Sequence, residues 1–149
     1  IGEFPRARNR FETQTVHFPD PLPFDVNADP IVIEDSDYAL WYRDMSEEME
    51  KYSGKTVRFK ALIAKNAKMP DNMFVAGRHV MTCCVQDIQY SGLVCKWLDA
   101  NKLKNRTWGT VTAKIELRFS KFYGRKGPVL NIISVEPAEK PEQEVATFY

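Results

Sequence analysis

The densest group of chemically active side chains lies in residues 78–87, which include the adjacent cysteines Cys83 and Cys84. Their alternation with apolar residues predicts a strand, in which His79 and Cys83 share one face and Cys84 lies on the other. Imidazole nitrogen and thiolate sulfur are ligands that soft ions such as Zn²⁺, Cu(I) or a trivalent arsenical prefer. Cys95, on the next predicted strand, would supply a further sulfur. The segment is therefore a candidate site for a soft metal or metalloid.

Free cysteines have a second and more common role, because they are among the most buried residues and pack as small hydrophobic groups. Adjacent cysteines on a strand also point to opposite sides, so they chelate one ion poorly unless the strand ends or bulges there. Alternation then predicts that one of the two packs inside while the other faces a groove. In the metal-binding interpretation, Arg78 and Asp87 would be structural, for example as an ion pair that brackets the strand end.

The sequence contains none of the patterns that would indicate an enzyme. It lacks a convincing pair of carboxylates, a glycine-rich phosphate loop and a His-Glu-x-x-His motif. A cysteine nucleophile would need His79 or His17 within hydrogen-bonding distance, and the spacing does not establish this. We therefore expect a protein without catalytic activity.

A second cluster combines basic and aromatic side chains in a predicted β-hairpin: Arg118, Lys121, Phe122, Tyr123, Arg125 and Lys126. A barrel that binds single-stranded nucleic acid uses such cations for phosphates and such rings for bases. The alternative is a solvated turn whose rings pack back on the barrel. The chain has 21 basic and 20 acidic residues and a net charge of +1, which gives no overall attraction to nucleic acid or to an acidic membrane. We therefore favour the turn.

The elements that hold these residues indicate one globular domain. The chain has 149 residues, of which 44% are hydrophobic and 28% charged, as is typical of a soluble domain with its own core. No stretch approaches the roughly 18 to 20 consecutive apolar residues of a membrane span. Prolines are frequent in residues 1–30, which predicts an extended tail or linker. Within it, residues 1–4 resemble a cloning remnant, so we expect a piece of a longer protein.

Residues 31–149 are predicted to form the folded domain. Aromatic and methionine side chains at helical spacing predict a helix over about 36–52, whose apolar face docks on the rest of the domain. After it the period changes from 3.6 to 2, which indicates strands. The predicted strands are 57–63, 73–85, 92–97, 109–117 and 129–135, and 31–33 is a short edge strand. Together they predict a mainly β fold, a small five-stranded OB-like closed barrel with one preceding α-helix.

Five motifs resemble the C-terminal domain of YcgQ-like proteins. They are Tyr52-x-Gly54-Lys55-x-Val57, Phe74-x-x-x-Arg78 continuing to Cys83-Cys84-x-x-Asp87, Gly92-Leu93-Val94, Trp108-Gly109-x-Val111, and the closing Phe148-Tyr149. The resemblance implies a domain of unknown function, tethered by N-terminal membrane helices that lie outside this chain. It also implies a permease as partner, made alongside the protein.

The sequence thus favours a non-enzymatic soluble accessory domain of a membrane permease system that binds a soft metal or metalloid through its cysteines. In the full-length protein it would be tethered to the membrane. Two alternatives from other classes stay open. One is an OB domain that binds single-stranded nucleic acid, and the other is a pure protein-interaction module.

Overall fold

The computed structural model describes residues 22–148. Three sequence-based expectations fall outside these residues: the remnant at 1–4 with most of the predicted tail, a role for His17, and the closing Tyr149. Residues 22–30 contain no helix or strand. Phe24 is nevertheless buried against the core, and the Lys55 ammonium donates to the Val26 carbonyl at 3.0 Å. The end of the predicted linker therefore packs on the domain.

Among the described residues there are six strands and one α-helix, joined by short 3₁₀ turns. They are β1 (Ile31–Ile33), α1 (Tyr38–Glu47), β2 (Thr56–Ala64), β3 (Met73–Val80), β4 (Gln89–Lys96), β5 (Trp108–Ser120) and β6 (Arg125–Pro137). The α-helix is shorter than the predicted 36–52 because Glu48 leaves the helical region, with φ −133° and ψ 54°. The flanking turns Asp35–Asp37 and Met49–Tyr52 are 3₁₀.

The strands close into a ring in which β2 pairs with β3, β3 with β4, β4 with β6, β6 with β5, and β5 with β2. All these pairings are antiparallel except β4 with β6. β3 pairs with only the last three residues of β2, Leu62 to Ala64. β1 pairs in parallel with β2 from Val57 to Phe59. The predicted fold class is confirmed: the fold is mainly β and OB-like, with one helix before the ring.

The core lies inside the ring and beneath α1. Alternation in β2 buries every second side chain, among them Val57 and Phe59. The helix docks its aromatic stripe on this surface, and the Trp41 and Phe59 ring centroids lie 4.9 Å apart. The apolar face of the helix is therefore a packing surface, as its periodicity predicts.

The second predicted strand is wrong at its C-terminal end. β3 stops at Val80 rather than at residue 85, and β4 begins at Gln89. Residues 81–88, which we call the cysteine loop, connect the two strands. The strand ends here because the Asp87 carboxylate takes up the backbone N–H groups of residues 82–84, which a continuing strand would need for its ladder. The cysteine pair therefore lies on a loop and not on a central strand.

The last hairpin also differs in detail from the prediction. β5 and β6 are each 13 residues long, longer than the predicted strands 109–117 and 129–135, and the turn between them spans residues 121–124. Gly124 has a φ of 72°, which only glycine adopts easily, and its N–H donates to the Ser120 carbonyl at 2.8 Å. This backbone conformation and this hydrogen bond set the turn and leave Arg125 as the first residue of β6.

Candidate metal centre

The cysteine loop is the tip of the β3–β4 hairpin. The last strand pair, Val80 with Gln89, closes the hairpin just below it, and residues 82–86 are all exposed. The base of the loop is held from one side by the C-terminal segment. There the Met81 N–H donates to the Ala146 carbonyl at 2.9 Å, and the Ala146 N–H donates to the His79 carbonyl at 2.8 Å.

Asp87 organises the loop from within. Its Oδ1 accepts the N–H of Thr82 at 2.7 Å, and its Oδ2 accepts those of Cys83 at 2.8 Å and Cys84 at 3.2 Å. The Cys83 thiol and these backbone donors stabilise the charged carboxylate and lower the pKa of Asp87 to about 2. The sequence signal for this role is the Cys-x-x-Asp spacing, which is that of a capping box. Residue-type reasoning missed it.

The two thiols lie side by side on the exposed surface. The Sγ atoms of Cys83 and Cys84 are 3.6 Å apart, and the Cys84 Sγ is 3.9 Å from the Asp87 Oδ2. The ligand atoms of all three residues lie within 4.8 Å of one another. The prediction that one cysteine packs inside is wrong, because strand alternation does not extend into the loop.

The electrostatic setting keeps Cys83 protonated at neutral pH. The Asp87 carboxylate, and after it the Cys84 thiol, raise the pKa of Cys83 to about 11. A nucleophilic cysteine needs the opposite, a pKa lowered by cations or a helix N-terminus. An incoming cation, in contrast, would displace the proton and be attracted by the nearby carboxylate. The arrangement therefore suits ion binding better than covalent catalysis.

Cys95 and His79 do not join this cluster. Cys95 lies on the inner face of β4 with no exposed surface, and its thiol donates to the Leu93 carbonyl at 3.3 Å. Burial raises the pKa of Cys95 far above its ordinary value. His79 is exposed on β3, and its ring packs edge-on against Tyr90 with centroids 5.5 Å apart. The expected convergence fails because Cys95 belongs to the core and His79 precedes the loop.

Arg78 does not form the predicted ion pair with Asp87. Its side chain is only 1% exposed, and its Nη1 lies 3.0 Å from the Asp35 Oδ1. Its Nη2 donates to the Gln143 carbonyl at 2.6 Å. Burial lowers the pKa of Arg78, and the Asp35 charge opposes this shift. Because β3 points this side chain toward the C-terminal segment and away from the loop, Arg78 ties that segment to the 3₁₀ turn before α1.

Some side chains of the predicted basic-aromatic cluster hold the fold together, and others are exposed. The Tyr123 hydroxyl donates to the Pro128 carbonyl at 2.7 Å and accepts the Val94 N–H at 2.8 Å, so this ring is a structural bridge. Lys126 lies 3.5 Å from a Glu50 carboxylate oxygen. In the same way, Arg118 lies 3.6 Å from a carboxylate oxygen of Glu116.

Lys121 and Phe122, together with Arg118, line a cleft of about 160 Å³ between the hairpin and strands β3 and β4. Phe122 is 38% exposed there, with the Lys121 ammonium 5.5 Å from its ring centroid. Phe119 is 67% exposed. Lys96 also lines the cleft, and sequence reasoning missed it because it lies on β4, far from the hairpin in the chain. Arg125 is exposed but does not line the cleft.

Within residues 22–148, no helix is both long enough and apolar enough to cross a membrane. The membrane tether implied by the resemblance therefore stays a prediction.

The chain is distantly similar to several solved structures. The S. pombe Stn1–Ten1 complex is 9% identical with a TM-score of 0.41, over 82% of this chain and 86% of that chain. An aspartyl tRNA synthetase from Entamoeba histolytica is 11% identical with a TM-score of 0.36, over 60% of this chain and 20% of that chain. Similarity this low does not indicate a shared function.

No curated protein matches the chain significantly. The sequence does match the DUF1980 C-terminal domain, a domain of unknown function, over residues 13–146. This match covers the whole ring, the helix and the cysteine loop. The chain therefore belongs to the DUF1980 C-terminal domain family.

Proposed function

We propose that this domain binds a thiophilic ion, a soft metal or metalloid, at the cysteine loop, and serves as a non-enzymatic accessory domain of a membrane permease system. The observation that carries the proposal is the pair of exposed thiols 3.6 Å apart on a loop that Asp87 has already shaped. An ion would therefore meet two sulfurs that already lie near their bound positions. Binding would cost little free energy for ordering the loop.

The distance between the thiols selects among coordination geometries. With metal–sulfur bonds of about 2.3 Å, a separation of 3.6 Å corresponds to a sulfur–metal–sulfur angle of about 103°. That angle is close to tetrahedral and also suits a pyramidal centre. A linear two-coordinate ion would need sulfurs about 4.6 Å apart, twice the same bond length. The loop thus favours tetrahedral or pyramidal ions over linear ones.

Metal titration with thiol counting tests the proposal. We expect reduced protein to bind Cd²⁺, Zn²⁺ or phenylarsine oxide with micromolar or better affinity, and both loop thiols to become protected from a thiol reagent. Cys83→Ser and Cys84→Ser should each abolish this protection. The matched control is Cys95→Ala, which removes the buried thiol and should bind normally. Wild-type protein that binds none of these probes above micromolar affinity contradicts the proposal.

The permease association rests on the family resemblance and needs its own test. We expect the membrane-tethered full-length protein to co-purify with the permease made alongside it. If the permease is retained while the thiols stay free of any ion, the domain is a protein-interaction module instead.

Nucleic-acid binding is the second candidate, favoured by the exposed Phe119 and Phe122 rings beside Lys121 at the cleft. It predicts that a fluorescent single-stranded oligonucleotide binds at low salt, and that salt and Phe119→Ala both weaken the binding. Gln86→Ala, an exposed residue in the loop between β3 and β4 that does not line the cleft, serves as the control. An oligonucleotide that shows no binding at low salt eliminates this candidate.

A further inference from the structure

We infer, building on the proposed ion binding, that the cysteine loop is half of a metal site, and that a second copy of this chain supplies the other half. Cys83 and Cys84 from each of two copies would hold one tetrahedral divalent ion between two hairpin tips.

Asp87 is close to the thiols but is already occupied. Its two oxygens accept three backbone N–H groups, at 2.7, 2.8 and 3.2 Å. A carboxylate that turned toward an ion would give up these bonds and release the loop conformation that sets the two thiols side by side. Asp87 is therefore better suited to hold the loop than to coordinate the ion.

The described residues offer no further ligand at the tip. The clustered metal-ligating side chains there are Cys83, Cys84 and Asp87 alone. Structural zinc sites are almost always four-coordinate, with sulfur, nitrogen or oxygen ligands from the protein. The described part of one copy therefore fills two of the four positions and leaves two for other ligands.

The position of the loop allows another copy to fill them. Residues 82–86 are exposed at the end of a hairpin, so two tips can meet without contact between the rings. Val85 is 72% exposed beside the cysteines and would gain an apolar partner across a two-fold axis. Asp87 is the one charged residue of the loop, and three N–H donors offset its charge.

Binding of the ion needs neither an oxidant nor a reductant. Four thiols bind one divalent ion and release four protons, forming four metal–sulfur bonds and leaving the tetrathiolate with a net charge of −2. The sulfurs keep their oxidation state. Because the protons must leave, the ion-linked dimer should form more strongly as the pH rises.

Titration of the whole 149-residue protein with Co²⁺ and Cd²⁺, combined with sedimentation, tests the inference. We expect half an ion per chain, a metal-dependent doubling of mass that EDTA reverses, and the sulfur-to-cobalt charge-transfer absorption of a tetrahedral tetrathiolate. Cys84→Ser should lose the ion and the dimer together. Val85→Asp should keep the fold and weaken the dimer at least tenfold, whereas Leu98→Asp, a control at another exposed apolar residue, should not.

The outcomes separate this inference from the proposal on which it rests. One ion per chain on a monomer overturns the shared site and leaves ion binding intact. A dimer that persists in EDTA or in Cys84→Ser also overturns it. Protein that binds neither Co²⁺ nor Cd²⁺ overturns the shared site, and phenylarsine oxide then shows separately whether the loop binds any thiophilic species.

Discussion

Asp87→Asn gives the sharpest test of how the loop controls its thiols. The substitution keeps the size of the side chain but removes its charge, and it replaces one acceptor oxygen by a donor NH₂ group. Asp87 is the main cause that raises the pKa of Cys83 from 9.0 to about 11. We therefore expect the pKa of Cys83 to fall and its reaction with a dipyridyl disulfide at fixed pH to accelerate.

The size of the effect follows from two opposing contributions. A fall in pKa of up to two units, from about 11 to 9.0, raises the thiolate fraction at pH 8 by up to about 100-fold. A less basic thiolate is also a weaker nucleophile, and a Brønsted slope of about 0.45 reduces the reactivity about eightfold. The net expectation is an acceleration of up to about tenfold, with the midpoint of the pH–rate profile shifted to lower pH.

Tandem mass spectrometry of timed samples assigns the modified sulfur, and circular dichroism confirms that the fold is retained. Asp71→Asn, in an exposed turn after β2, is the matched control and should leave the rate unchanged. A folded Asp87→Asn protein whose Cys83 profile keeps its wild-type midpoint would show that the carboxylate does not govern the thiol.

Three further substitutions test how the fold is held together, with urea unfolding as the measurement. Arg78→Met removes the buried guanidinium that contacts Asp35 and the Gln143 carbonyl and should cost about 2 kcal/mol of unfolding free energy, since hydrogen bonds of charged groups contribute about 1.5 to 3 kcal/mol and the half-exposed Asp35 carboxylate regains water; a loss below about 1 kcal/mol would argue against the anchoring role. Gly77→Ala should destabilise by more than 3 kcal/mol or prevent folding, because the new Cβ would overlap the backbone of Gly92. Tyr123→Phe leaves a backbone N–H and a carbonyl without their partner and should cost about 1 to 3 kcal/mol; unchanged stability would show that the bridge is dispensable.

The regular parts of the fold could be predicted because they obey one local rule. In β2 and β5, inward and outward side chains alternate, and the structure buries the expected sets, including Ile63 and Ile115. The closing pairs are non-local: the β2–β5 pairing joins Thr56 to Lys114. The spacing of apolar residues along the sequence gives no information about a pairing between such distant strands. The ring order could be anticipated only by asking which small β fold suits five strands.

The site could be predicted by residue type but not by geometry. Adjacent cysteines stand out in any sequence, whereas their environment depends on where β3 ends. Cys95 looked like a further ligand because it lies on the neighbouring strand. The register pairs it with Phe74 and turns its side chain inward, which removes it from the surface. Arg78 likewise looked like a partner for Asp87 because both flank the cysteines, yet it reaches Asp35 instead.

The end of β3 decides whether the cysteine pair can hold one ion at all. If the strand continued to residue 85, Cys83 and Cys84 would point to opposite faces of the sheet and could not share an ion. The chain leaves the strand because Asp87 captures three N–H groups of residues 82–84. In the resulting loop the two Sγ atoms come to 3.6 Å, close to the edge of about 3.8 Å that metal–sulfur bonds of about 2.3 Å give a tetrahedral site. Asp87 therefore enables ion binding without being a ligand, and loss of its charge should weaken ion affinity even as it makes Cys83 more reactive.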